Sequence, residues 1–210
     1  MFFNKDKKIG RDLASFAIMF PEKQMQQIKE IIQDIQFSEV ESLRLRFCLS
    51  ILNLASIFWW LNLSKSTGSI DNNRVKKIID NVLDAFMDEF INDNTTIRIG
   101  DYIVDNEEIM LLSREWGGAD TTMETKTNIR TLVPSIYNIR IGQYDAALTE
   151  RLKLLSGKKQ GSLDPVVKLF VKQFMGKTSL EHLDLVLLLS CVLIPLDKAI
   201  STIVGDYIRT

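Results

Sequence analysis

A chain of 210 residues suits one domain with a sizeable core. Lysine plus arginine number 26 against 27 for aspartate plus glutamate, with a pI near 5.9, so no bulk field recruits nucleic acid or an acidic membrane. The 46% apolar and 25% charged fractions exclude a disordered or membrane-dominated chain, which leaves function to a local site.

At the N-terminus, Ile9, Leu13, Phe16, Ala17 and Phe20 fall on one face of an amphipathic helix over 1–20. Its basic end, Lys5, Lys7, Lys8 and Arg11 beside Phe2 and Phe3, offers only weak membrane docking without a second signal and reads as a solvated surface. The apolar stretch Leu13 to Phe20 is only eight residues, Asp12 abuts it and no small-residue cleavage site follows, so it reads as mature protein instead of a secretory leader. Pro21 suits the first turn of a second helix, whose apolar face is Met25, Ile28, Ile31, Ile32 and Ile35 and whose solvated side includes Gln24.

Ser38 to Leu63 is the longest apolar run. Ser38 followed by Glu41 is a capping box, and Phe47 to Ser64 carries no charge. A helix apolar on every side belongs in a core or a membrane. Those eighteen residues reach the lower limit of a membrane span, flanked by Arg44, Arg46 and Lys65. Ser50, Asn53 and Ser56, together with amphipathic segments elsewhere, favour a buried central helix over 38–63 instead.

A flexible loop is expected over 64–73. From Asp71 to about Asp93, Val75, Ile78, Val82, Phe86 and their neighbours form the most regular amphipathic helix. Its outer side carries Asp80, Asp84 and Asp88, weak candidates for a divalent cation should another helix bring an acid or histidine opposite; the sole histidine, His182, is in no Glu-x-x-His pair. Residues 95–105 alternate apolar and polar, which reads as a short hairpin near 96–104 or an irregular connector. Asp105 with Glu108 opens a helix toward Trp116 that Gly117 and Gly118 close. Thr121 with Glu124 opens another, ended or kinked at Pro134.

The segment Ile97-Arg98-Ile99-Gly100-Asp101-Tyr102 returns as Ile139-Arg140-Ile141-Gly142-Gln143-Tyr144, each followed by a Leu-Leu-Ser. Partial duplication and coincidence are both open. The functional reading places Arg98, Tyr102, Arg140 and Tyr144 around a shared anion or partner site. Further on, Gln143 to Leu155 is amphipathic, and Asp164-Pro165 starts a helix filled by Val166, Val167, Phe170 and Phe174. Gly176-Lys177-Thr178 lacks the earlier glycine of a phosphate loop and fits instead a capping box, Thr178 with Glu181, before a last helix from Ser179 whose core is Leu185 to Leu196.

Chemistry is sparse. His182 is the sole histidine, Cys48 and Cys191 give neither a disulfide framework nor a metal spacing, and no serine elbow, dinucleotide fingerprint or complete phosphate loop is present. The basic KKIGRDLASFA stretch is a weak helix-turn-helix likeness in a neutral chain, so nucleic acid is not expected. The expectation is one all-α domain over 1–210, about seven to nine helices around the Ser38 helix, with the Asp71 and Ser179 helices packed on it. Its expected role is a cytoplasmic, soluble, non-catalytic adaptor, regulatory or immunity-like protein without cofactor, binding a protein through Arg98, Tyr102, Arg114, Trp116, Arg140 and Tyr144. The alternatives are a small-molecule or lipid carrier with Phe58, Trp59 and Trp60 in an internal apolar pocket, and a magnesium-dependent enzyme using the Asp80, Asp84, Asp88 column.

Overall fold

Ser38 starts α2 (Glu39–Ser66) reciprocally: its hydroxyl accepts from the Glu41 N–H at 3.2 Å, and the Glu41 carboxylate accepts from the Ser38 N–H at 2.8 Å. Those bonds satisfy two donors that the helix itself cannot, and the Ser38 hydroxyl, donating at 2.7 Å, and then the Ser38 N–H hold the Glu41 carboxyl below its ordinary pKa. The computed structural model describes residues 3–31, 36–90, 95–156, 164–176 and 198–207. Within them the helices besides α2 are α1 (Phe3–Ile31), α3 (Asn72–Phe90), α4 (Asn106–Glu115), α5 (Ile129–Ser156), α6 (Pro165–Met175) and α7 (198–207). The fold is all-α with one two-stranded antiparallel sheet, β1 (Thr96–Arg98) and β2 (Lys126–Asn128). A Ser179 helix and the Leu185 to Leu196 stretch lie outside the described residues.

From Leu45 to Phe58 only Arg46 reaches solvent freely, and Leu61 is buried as well. Among the described residues α2 is the one helix long and apolar enough to cross a membrane, and 72% of its most apolar window is covered by the protein's own neighbours. Its large apolar side chains contribute about 1.5–3 kcal/mol each before entropy is subtracted. α2 is covered chiefly by α1 and α5, with α6 and α3 also packed on it, and α3 makes its larger contact with α1.

Two prolines do not end helices as their positions suggest. α1 runs unbroken through the buried Pro21, because Ile9, Leu13, Ala14, Ala17, Gln24 and Ile28 lie on one continuous face under the neighbouring helices. That burial outweighs the roughly 3 kcal/mol of a missing hydrogen bond and ring clash. Gln24 is therefore core, not solvated surface. Its amide pairs reciprocally with Asn53, Nδ2 of Asn53 donating at 3.1 Å and Nε2 of Gln24 at 3.5 Å, so α1 and α2 meet in a satisfied polar pair. α5 likewise passes through Pro134, which sits near its start, beside the exposed Arg130.

Other boundaries move for local reasons. α2 continues to Ser66 and Ile70 is buried, which shortens the expected loop; Asp71 then caps α3, accepting from the Asn73 and Arg74 N–H groups at 2.9 and 3.1 Å. Thr121 and Glu124 do not cap a helix. The chain there turns, forms β2 against β1 across the whole of α4, and enters α5 with the Asn128 side-chain Oδ1 accepting from the Arg130 N–H at 2.8 Å. The strand expected near 96–104 is present at its start, and its partner comes from 126–128. The α6 N-cap is as expected, the Asp164 carboxylate accepting from the Val166 N–H at 2.9 Å.

The echoed hexapeptides adopt different structures. Residues 97–102 form the end of β1 and a 3-10 turn (Ile99–Asp101), whereas 139–144 lie inside α5. Their glycines show why. The Gly100 N–H donates to the Met123 carbonyl at 2.8 Å, and a Cβ there meets that oxygen at 2.9 Å; Gly142 faces open space. Gly100→Ala is thus expected to lower stability by about 1–3 kcal/mol through overpacking. Gly142→Ala is expected to raise it by about 0.5–1 kcal/mol through helix propensity. Denaturant midpoints of the two variants check both signs.

Candidate functional site

Among the described residues Arg140 is, with Glu108, the charged residue most withdrawn from solvent. It projects from the middle of α5 into the junction of α2, α4 and α5, fully buried. Glu108, in the first turn of α4, meets it face to face: Arg140 Nε donates to Oε1 and Nη2 to Oε2, both at 2.9 Å. This fork-to-fork pairing satisfies both carboxylate oxygens in a direction only a guanidinium supplies. The remaining Nη1 donates to Cys48 Sγ on α2 at 3.3 Å, and the guanidinium carbon lies 5.3 Å from the Phe47 ring centre. Tyr102 closes the stack, its ring edge-on to Phe47 at 5.4 Å.

The electrostatics follow from burial. Loss of water alone pulls the Arg140 guanidinium down, and the adjoining Glu108 carboxylate more than offsets it, so the charge is retained. Burial pushes the Cys48 thiol up, against the opposing pull of Arg140, and pushes Tyr144, one turn beyond Arg140, well up in the same way. A neutral thiol sealed from solvent is no nucleophile at neutral pH. The Tyr144 hydroxyl has no hydrogen-bond partner among the described residues. This cluster holds three helices together, and Arg140, Glu108, Cys48 and Tyr144 are all shut away from solvent.

Arg140 and Tyr144 accordingly do not line a surface with Arg98 and Tyr102. Arg140 and Tyr144 are fully buried, and the two segments meet at Phe47, which Arg140 and Tyr102 both contact. Arg98 is exposed and paired with Asp101 at 3.0 Å and Glu124 at 3.4 Å. Tyr102 is half-buried. Arg114 is exposed, and the half-buried Trp116 donates from its indole nitrogen to Ser135 Oγ at 3.0 Å, which ties the end of α4 to α5. Asp80, Asp84 and Asp88 point outward along α3, and among the described residues no three histidine, cysteine or acidic side chains gather as a metal site. His182 and Cys191 lie outside the described residues.

The apolar trio is packed. Phe58 is buried edge-on to Tyr137, and Trp59 and Trp60 meet at 86° with centres 5.3 Å apart. A groove of about 430 Å³ lies elsewhere, between α1 and α2, lined by Glu22, Met25, Gln26 and Lys29 on one side and Glu39, Ser42, Leu43 and Arg46 on the other. On the outer side of α4, Met110 is 56% and Leu111 38% exposed, one turn before Arg114. Glu108 was hidden in sequence by its capping-box spacing, of which only the Asp105 half forms, its carboxylate accepting from the Glu107 N–H at 3.0 Å. Compared with protein-family models, curated proteins and solved structures, the chain matches none.

Two outcomes test the buried cluster. Arg140→Met leaves Glu108 ionised without a partner and is expected to cost about 3–5 kcal/mol, whereas Glu108→Leu with Arg140→Met restores most of the loss. Denaturation of the single and double variants measures the difference. Cys48 has a raised folded pKa, so its contribution is complete below the unfolded thiol value of about 8.5 and is lost as pH rises beyond it. Unfolding free energy measured against alkaline pH is expected to fall, and Cys48→Ala to make that fall shallower.

Proposed function

We propose that this is a non-catalytic helical interaction protein, an adaptor, regulatory or immunity-like chain that binds another protein in the cytoplasm. The observation that carries the reading is the outer side of α4. Met110, Leu111 and Arg114 share one exposed face, while Glu108, Ile109 and Leu112 on the opposite side are buried. Exposed methionine adapts to a partner's shape at little cost, and arginine supplies both packing surface and directional donors. Because Asp105 caps one end and Trp116 bonds α5 at the other, this face is held rigid before any partner arrives. The free, buried Cys48 suits a reducing compartment.

Arg98, Tyr102 and Trp116 contribute around this face, Arg98 as an exposed cation already bridged to Asp101 and Glu124. Arg140 and Tyr144 support it from beneath by fixing α4 in place. Affinity capture from the native cell, with proteins and small molecules both identified, tests the reading. A polypeptide retained by the natural chain and reduced about tenfold by Met110→Asp with Leu111→Asp supports it. Turnover of a metabolite by the purified chain, or a retained small molecule indifferent to those changes, contradicts it.

A further inference from the structure

The groove between α1 and α2 has a charge order that fits a copy of itself. Each wall is one stripe at helical spacing: Glu22, Met25, Gln26, Lys29 on α1 and Glu39, Ser42, Leu43, Arg46 on α2. Glu22 and Arg46 are joined across one end of the groove at 3.3 Å. Two turns along α1 from Glu22 stands Lys29, and two turns back along α2 from Arg46 stands Glu39, both exposed. The signs therefore alternate around the rim, minus at Glu22, plus at Arg46, minus at Glu39, plus at Lys29, with Met25 and Leu43 between them.

A two-fold axis running along such a groove exchanges its walls. It sets Glu22 of one copy against Arg46 of the other, Lys29 against Glu39, and Met25 against Leu43, each contact made twice. A self-complementary patch is what a closed two-fold interface requires. Apolar surface is available to it: Leu43 is 43% exposed, Val40 beside it 36%, and Met19, one turn before Glu22, 67%. Were Glu22 and Arg46, or Lys29 and Glu39, alike in sign, this axis would set like charges together, and a wholly charged groove would bury nothing. From this arrangement we infer that the α1–α2 groove is a homodimer interface whose occupant is the same groove of a second copy. The inference stands apart from the α4 face, which lies on another helix.

Sedimentation velocity of the full chain, from micromolar to hundred-micromolar concentration, tests it. The natural chain is expected to form a dimer. Leu43→Asp and Glu22→Lys are each expected to weaken that dimer about tenfold or more, the first by desolvating a new charge, the second by opposing Arg46 of the other copy. Glu22→Lys combined with Arg46→Glu restores every facing pair about this axis and is expected to return the dimer. Circular dichroism melts of each variant show that the monomers remain folded, since all of these side chains are on the surface. A chain monomeric at every concentration, a dimer indifferent to Leu43→Asp, or a charge-swapped double variant that stays monomeric overturns the inference.

Discussion

The bidentate bond between Arg140 and Glu108 is the interaction on which the other contacts in the centre of the molecule rest. Each ion gives up its water on entering the core, and the cost is offset only because both oxygens of one meet two nitrogens of the other at 2.9 Å. Such a pair adds little net stability beyond an apolar replacement, yet it tolerates neither partner alone. What it adds is position. α4 is short and its outer side exposed, and Glu108 anchored beneath it fixes its rotation over α5 together with the Trp116 bond to Ser135.

From that anchor the rest of the architecture can be followed outward. The third nitrogen of Arg140 reaches Cys48 and its flat face lies over Phe47, so the register of α5 against α2 is set by the same side chain. Tyr102 packs on Phe47 as well and carries the 3-10 turn after β1 into the same stack. Arg44 extends the link, its Nη2 donating to the Gly100 carbonyl at 2.7 Å. Farther along α2, the Gln24 and Asn53 amides fix α1. Polar contacts thus specify how the neighbouring helices meet an apolar α2 that is otherwise slippery. Leucine and isoleucine supply the cohesion, and a few buried hydrogen bonds choose one arrangement among several that bury similar area.

Much of this was legible in the residues. The α2 start was written in Ser38 and Glu41, the α3 start in Asp71, the α6 start in Asp164 and Pro165, and the burial of α2 in its uncharged run, because caps and periodicity are local physics. Pro21 and Pro134 misled, since local preference argued for breaks and tertiary burial overrode it. Gln24 misled for a related reason: a glutamine among other glutamines looks like surface until the facing Asn53 is known. The near-identical hexapeptides at 97–102 and 139–144 show the limit most clearly. One folds as strand and turn because Gly100 abuts Met123, the other as helix because its neighbours propagate one, and neither outcome is contained in the six residues.

The candidate sites divided in the same way. Exposed Arg98 and Arg114 lay where a surface reading puts them, but Arg140 and Tyr144 were drawn into the core by a partner, Glu108, whose spacing advertised a helix cap. The account stands on α2 being enclosed by its own neighbours and pinned at the Arg140 junction. Native-state hydrogen exchange in detergent-free buffer tests this most directly. The α2 amides from Phe47 to Phe58 and the Arg140 Nε–H are predicted to exchange only through global unfolding, the slowest in the molecule. Exchange of those α2 amides as fast as that of exposed helix ends, or slow exchange appearing only once detergent is added, contradicts it.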